Sequence, residues 1–192
     1  STFDMSKFDN ETLSEAGRVS REEAFDRAAY FLERVIPAAE ENKVQMACHL
    51  SDPPAPVLRG VQRWNYPVFE GLKRFVEIVE SPYHGFNFCC GTASEGLKDP
   101  GKELYDIVRY FGERKKIFNI HFRNIRGGLH KFQEVWPDEG DVDMYKVAQV
   151  LRDVEYPYML MPDHAPSHTD DTPPPGTAGR VRQAWAFQFG YI

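Results

Sequence analysis

Cysteine is scarce in this chain, with only Cys48, Cys89 and Cys90 among 192 residues. An odd number containing a vicinal pair is a poor disulfide framework, so a reducing compartment, the cytoplasm, is expected, with the thiols buried or bound to metal. Long apolar runs are missing as well. No stretch approaches the ~18 residues that a membrane span needs, and the opening STFDMSKFDNETLSEAGR has no apolar region of the secretory kind. Positive charge is in deficit, with 23 Lys and Arg against 29 Asp and Glu and a net charge of -6, which argues against nucleic acid as a partner because phosphate binding needs a basic surface. Small anionic ligands stay open, since one buried arginine or one metal ion binds them. Glycine-rich dinucleotide fingerprints are absent too: GTASEG, after the second expected strand, lacks the GxGxxG spacing. Apolar residues make up 42% and aromatics 14%, enough for the core of one domain or of part of a larger one.

Periodicity then gives the elements. Residues 1–19 are polar and read as an arm or loop. Ser20 with Glu23 forms a capping-box pattern, and Ala24, Ala28, Leu32, Val35 and Ile36 recur at helical spacing, so a helix is expected over 21–41, with Pro37 a point of kinking or early termination. A strand is expected at 43–49, followed by a proline-rich loop and a helix over 66–81. GFNFCCGT (85–92) reads as a second strand and 99–114 as a helix with Pro100 near its start. KIFNIHFRNIRGG (116–128) reads as a third strand, 140–154 as a helix capped by Asp141, and YPYMLMPDH (156–164) as a fourth strand. A proline-rich loop over 165–180 precedes a final helix from 181. Strands alternating with helices imply a parallel sheet covered by helices.

The chemistry collects at the strand ends: His49, then Cys89 and Cys90, then His121 and Arg123, then Asp163 and His164. In a parallel α/β fold all strand C-termini lie on one side, so these residues converge. Alternation along a strand sets Asn119, His121 and Arg123 on one face of theirs and likewise keeps Asn87 and Cys89 on a shared face, from which Cys90 points away toward the helices. Two imidazoles, a thiolate and a carboxylate suit Mn, Fe, Co or Zn better than Ca or Mg. His84 is a candidate for lining the site, whereas His130 and His168 read as surface loop residues. Glu134 and Asp141, in an acidic loop, are candidates for reaching a substrate. The basic GERKK segment reads as a solvated helix end.

These segments resemble the mannonate dehydratase family of metal-dependent barrel enzymes. HFRN is similar to that family's HxR element, MPDH to its RPDH, FCCGT to its CxG strand end and CHLSDPP to its HPDDPP, and GDVDMYKV resembles the stretch before the last strand. The resemblance implies an α/β fold of the parallel (β/α) TIM-barrel type, xylose-isomerase-like, of which residues 1–192 form about the C-terminal half, roughly strands 5–8, with 165–180 as an active-site loop. It implies a divalent cation, Mn2+ or Fe2+, held by His49, Cys89, His121 and Asp163. His164 and Arg123 are implied in catalysis, and Arg123, Asn119 and His84 in binding the substrate. The implied reaction is dehydration of D-mannonate, a sugar acid, to 2-keto-3-deoxy-D-gluconate in hexuronate breakdown. Sugar isomerisation or epimerisation on the same scaffold, or a truncated domain without turnover, are the alternatives. Met161 stands where the family carries arginine and Thr177 where it carries tyrosine, with Tyr191 a substitute for the latter. Because a full barrel needs ~250 residues, association with an N-terminal half or with a second copy is also implied.

Overall fold

A computed structural model describes residues 2–164, 166 and 182–192. In chain order its elements are strand β1 (Thr2–Asp4), helix α1 (Arg21–Glu41), strands β2 (Met46–His49), β3 (Val57–Leu58) and β4 (Val61–Gln62), helix α2 (Val68–Glu77) and strand β5 (His84–Cys89). There follow helices α3 (Cys90–Glu95) and α4 (Pro100–Glu113), strands β6 (Ile117–His121), β7 (Asn124–Gly128) and β8 (Lys131–Val135), helix α5 (Met144–Asp153), strand β9 (Leu160–Met161) and helix α6 (Arg182–Tyr191). Strands β2, β5, β6 and β9 form a four-stranded sheet in that order, and every neighbouring pair is parallel. The mixed α/β architecture expected from the alternation is therefore present.

Local chemistry explains the helices. The Ser20 side chain accepts from the Glu23 amide while the Glu23 carboxylate accepts from the Ser20 amide at 2.7 Å, so α1 starts with both halves of a capping box. Pro37 neither ends nor shortens α1. Leu72, Phe75 and Val76 of α2 pack with Leu104, Val108 and Phe111 of α4 and Val147 and Leu151 of α5 into one core with Phe86, Phe88 and Ile120 of the sheet. The opposite parity, Asn87 and Cys89 on β5 with Asn119 and His121 on β6, carries the polar face.

Several expected boundaries change. The stretch 116–128 is two strands. Strand β6 ends at His121, and β7 joins β8 and β1 in a separate antiparallel sheet. The break has a visible cause in Asn124, which is 1% exposed. Its amide donates to the carbonyls of Pro137 and Val142, both at 2.8 Å, and its oxygen accepts from the Ile125 amide at 2.9 Å. That clamp turns the chain out of the parallel sheet. It also requires glycine at position 140, where a Cβ would lie 2.1 Å from the Asn124 side chain.

Part of the expected polar arm is structured, since β1 lies against β8 with the Phe3 ring stacked 5.7 Å from Phe132. The second expected strand stops at Cys89, because Cys89 caps α3 by accepting from the Thr92 amide at 3.3 Å. Helix α5 is capped by Asp143 rather than Asp141, whose carboxylate accepts from the Gly127 amide of the hairpin instead. The fourth expected strand shrinks to Leu160–Met161. His168, Thr177 and most of the expected 165–180 loop lie outside the described residues.

Replacing Asn124 with leucine leaves buried carbonyls without donors. At about 1–3 kcal/mol for each unsatisfied group, Asn124→Leu is expected to lower stability by about 2–4 kcal/mol, measured by urea unfolding. A loss below 0.5 kcal/mol would show that the clamp does not hold the hairpin.

Candidate metal centre

Three adjacent parallel strands bring His49, Cys89 and His121 together. One ligand atom from each lies within 4.8 Å of the others. The His49 and His121 ring centroids are 5.1 Å apart. Backbone pairing sets this up, with His49 opposite Asn87 and Cys89 opposite His121. His49 directs Nδ1 to the Leu50 carbonyl at 2.6 Å, which leaves Nε2 for the cluster. His121 holds Nε2 at 3.0 Å from the Asn87 amide nitrogen, and its Nδ1 is buried without a hydrogen-bond partner.

Asp163 stands outside the group of three, but its Oδ2 lies 3.3 Å from His121 Nδ1. Its backbone adopts φ +71, a left-handed turn that aspartate tolerates better than most residues. The turn follows β9 directly and brings the carboxylate back over His121. His164 comes next. Its Nε2 is 3.3 Å from the same Asp163 oxygen, and its Nδ1 is 2.5 Å from Glu134 Oε1 on β8. The His164 side chain is 47% exposed, whereas that of Glu134 is 2% exposed.

Electrostatics favour a bound cation. Burial opposes ionisation of the Cys89 thiol, yet His121, His49, the Arg123 charge and the Thr92 amide outweigh it and bring it down to about 6. Burial likewise opposes charge on His121, but Asp163 and Cys89 push it up to about 9. His49 is raised chiefly by Cys89. A thiolate held by two imidazoles is a ligand set in which protons occupy the positions a divalent metal would take. This mixed N and S donor set fits a transition metal.

The other expected site residues lie differently. Arg123 does not share the open face with His121, because the strand ends between them. Its side chain is 1% exposed, with Nη1 2.9 Å from Glu95 Oε1 and 3.3 Å from Asp52 Oδ2, and Nε 3.4 Å from Glu134 Oε1. Gly91 makes room for its stem, since a Cβ there would meet Arg123 Cδ at 2.8 Å. Asn119 donates to Asn87 at 3.0 Å. His84 opens β5, five residues and about 16 Å from Cys89 along the strand. It is 1% exposed, with Nδ1 on the Val79 carbonyl and its ring beside Phe75, so it lines the core and not this centre. Asp52, Thr92 and Glu95 escaped the sequence reading. Only the need of a buried arginine for carboxylates points to them, and that need does not say which carboxylates.

Comparison with known proteins covers the stretch of chain that carries these residues. The family model described as D-mannonate dehydratase (UxuA) matches residues 3–188. A mannonate dehydratase of Enterococcus faecalis is 36% identical over 161 residues, covering 82% of this chain and 43% of the relative. One from Thermotoga maritima is 33% identical over 157 residues, covering 80% and 42%. The crystal structure of mannonate dehydratase from Streptococcus suis serotype 2 superposes with a TM-score of 0.77 at 28% identity, covering 90% of this chain and 49% of that one. The chain thus spans less than half the length of the relatives it matches.

Two outcomes follow from the ionic cluster beneath the centre. Arg123→Ala leaves buried carboxylates without their cation and is expected to cost about 3–5 kcal/mol in urea unfolding. Glu95 is 0% exposed, and burial drives its carboxyl up to about 9, against the pull of Arg123 and with help from Asp52. Between the ordinary 4.5 and about 9 the folded state keeps a proton that the unfolded state has lost, so stability falls as pH rises through that window. Glu95→Gln, which mimics the neutral acid, is expected to flatten the decline of Tm over that range in calorimetry; an unchanged slope would assign it to other groups.

Proposed function

The chain belongs to the D-mannonate dehydratase (UxuA) family, and from that premise we propose that it carries the metal-binding half of an enzyme that dehydrates D-mannonate to 2-keto-3-deoxy-D-gluconate. The observation that carries this reading is the convergence of His49, Cys89 and His121 within 4.8 Å at the ends of three adjacent strands. His49, Cys89, His121 and Asp163 would hold the cation, with Mn2+ or Fe2+ as the resident ion. The four parallel strands would form roughly strands five to eight of a (β/α) barrel that includes the whole of residues 1–192, closed by an N-terminal half or by a second copy, with 165–180 as its active-site loop. No described helix is long and apolar enough to cross a membrane, and a cytoplasmic sugar-acid enzyme without nucleic-acid partners is the reading that agrees with this.

In the reaction a proton leaves C2 and the hydroxyl leaves C3 as water, giving an enol that becomes the keto acid. A divalent cation supplies Lewis-acid stabilisation for the negative charge that develops beside the carboxylate. His164 is the exposed acid–base group at the rim and serves proton transfer. Glu134 beside its Nδ1 holds the imidazole and raises its affinity for a proton. Arg123 supports that carboxylate from below, and its charge also favours the Cys89 thiolate.

Metal analysis, native mass measurement and a colorimetric assay for keto-deoxy acid test the proposal together. The assembled protein is expected to hold about one divalent ion per chain and to form the product from mannonate. His121→Ala is expected to lose metal and at least ~100-fold in turnover while keeping its circular dichroism spectrum. Undiminished product from His121→Ala would defeat the reading, as would turnover of aldo- or keto-sugars in place of mannonate.

A further inference from the structure

We propose that the cavity between α1 and the β2 edge of the parallel sheet binds a small neutral molecule of phenol type, apolar over most of its surface and ending in one O–H donor, which Nε2 of His84 accepts. The site is separate from the metal centre, since His84 opens β5 and Cys89 ends it, and the inference does not rest on the reading given to that centre.

The cavity has a volume of about 280 Å3. Ala28, Phe31 and Leu32 of α1, Met46 and Cys48 of β2 and Phe75 of α2 line it together with His84. Met46 and His84 lie opposite each other in the β2–β5 ladder, on the parity that packs against the helices. Phe31 lines the wall and is still 55% exposed, so the cavity is reached from solvent. No Asp, Glu, Lys or Arg lines it, and an ion would lose its hydration there without gaining a counter-charge.

His84 gives the cavity its polar requirement. The residue is 1% exposed, and Nδ1 lies 2.9 Å from the Val79 carbonyl oxygen. A carbonyl only accepts, so Nδ1 carries the proton. Burial, with the Lys116 charge in support, holds the imidazole below its ordinary pKa, and the ring is neutral. Nε2 therefore presents a lone pair. It is buried and has no hydrogen-bond partner among the described residues. A buried acceptor left in that state is costly, and a molecule that brings it a donor removes the cost.

Water fits this place poorly. A buried water needs about 2–4 polar partners, and the other side-chain heteroatoms in the lining are the sulfurs of Met46 and Cys48. Sulfur is a weak partner, and the Cys48 thiol already donates to the His49 carbonyl at 3.3 Å. A ring with one hydroxyl fits better. An apolar cavity of about 150 Å3 takes benzene, so the larger one here has room for a substituted ring. The Phe75 ring, 5.1 Å from the imidazole, adds an aromatic wall beside the acceptor.

The test is titration of the whole chain with phenol and with toluene, read by ligand-observed NMR, for wild type, Ala28→Leu and His84→Phe. The Nε2 resonance of 15N-labelled histidine is recorded alongside in wild type, with a native mass measurement of the same sample. Phenol is expected to bind saturably, one molecule per chain, and to move the His84 Nε2 signal, which toluene leaves nearly in place. Ala28→Leu fills part of the cavity and is expected to weaken phenol at least tenfold. His84→Phe keeps a ring but removes the acceptor, so the affinity for phenol relative to toluene is expected to fall about tenfold. Absence of saturable phenol binding overturns the proposal; if the mass is then that of a dimer, a second copy is the better occupant. An unmoved Nε2 signal, phenol binding unchanged by Ala28→Leu, or a phenol-to-toluene ratio unchanged by His84→Phe overturns it as well. The Nε2 signal and Ala28→Leu decide the matter if His84→Phe fails to fold.

Discussion

One irregularity in the hydrogen-bond ladder between β5 and β6 sets the geometry of the centre. Phe86 lies opposite Ile117, but Asn87 lies opposite Asn119, so β6 has one residue more than its partner at Phe118. In a regular ladder Cys89 would face Ile120, and His121 would lie beyond the end of β5. The extra residue moves His121 level with Cys89 and sets the asparagines beneath them in the same step. Gly85 accommodates the irregularity, because a Cβ there would meet the Lys116 carbonyl at 2.4 Å and the Phe118 ring at 2.8 Å. The opposite parity of both strands stays apolar, and Phe86, Phe88 and Ile120, each fully buried, hold this register against the helices. A slip by one residue would carry Cys89 and His121 to the core face and the phenylalanines to the polar one.

Above that register, charge balance decides what the centre does. Cys89 is fully buried, and an isolated buried thiol stays neutral. Two imidazoles and a buried guanidinium reverse this. The same guanidinium is shared among Glu95, Asp52 and Glu134, more negative charge than one cation offsets at low dielectric. The cluster resolves the excess by keeping Glu95 protonated while Glu134 stays ionised beside His164. Arg123 thus connects the thiolate on one side to the rim histidine on the other. Its burial suits that linking role, whereas the His164 side chain is half exposed.

Much of this was legible in the sequence because it depends on period and position. The capping box at Ser20, the helical spacing of α1, α4 and α5, and the coincidence of His49, Cys89 and His121 with strand ends all follow from local pattern. What escaped depends on contacts distant along the chain. KIFNIHFRNIRGG alternates well enough to pass for one strand, and only the Asn124 clamp to Pro137 and Val142 breaks it. Arg123 shares His121's parity on paper, yet it leaves the sheet because Asp52 and Glu95, 71 and 28 residues away, provide its counter-charges. His84 has the residue type of a ligand but stands at the wrong end of its strand. The extra residue at Phe118 has no signature in one sequence, so the pairing of Cys89 with His121 could be expected but its cause could not.

Met161 shows how substitution at one position acts on this arrangement. It lies opposite His121 in the β6–β9 ladder, so its side chain belongs to the face that carries His121, and its carbonyl accepts from the Phe122 amide. A guanidinium there would place a second cation beside the imidazole and draw on Asp163, the carboxylate that His121 and His164 already share. A thioether makes no such demand. The Asp163 charge stays directed at the centre, and the positive potential near it comes from Arg123 below rather than from the rim. The three side chains that could hold a cation thus come from adjacent strands, and the carboxylate nearest to them from the turn after the fourth.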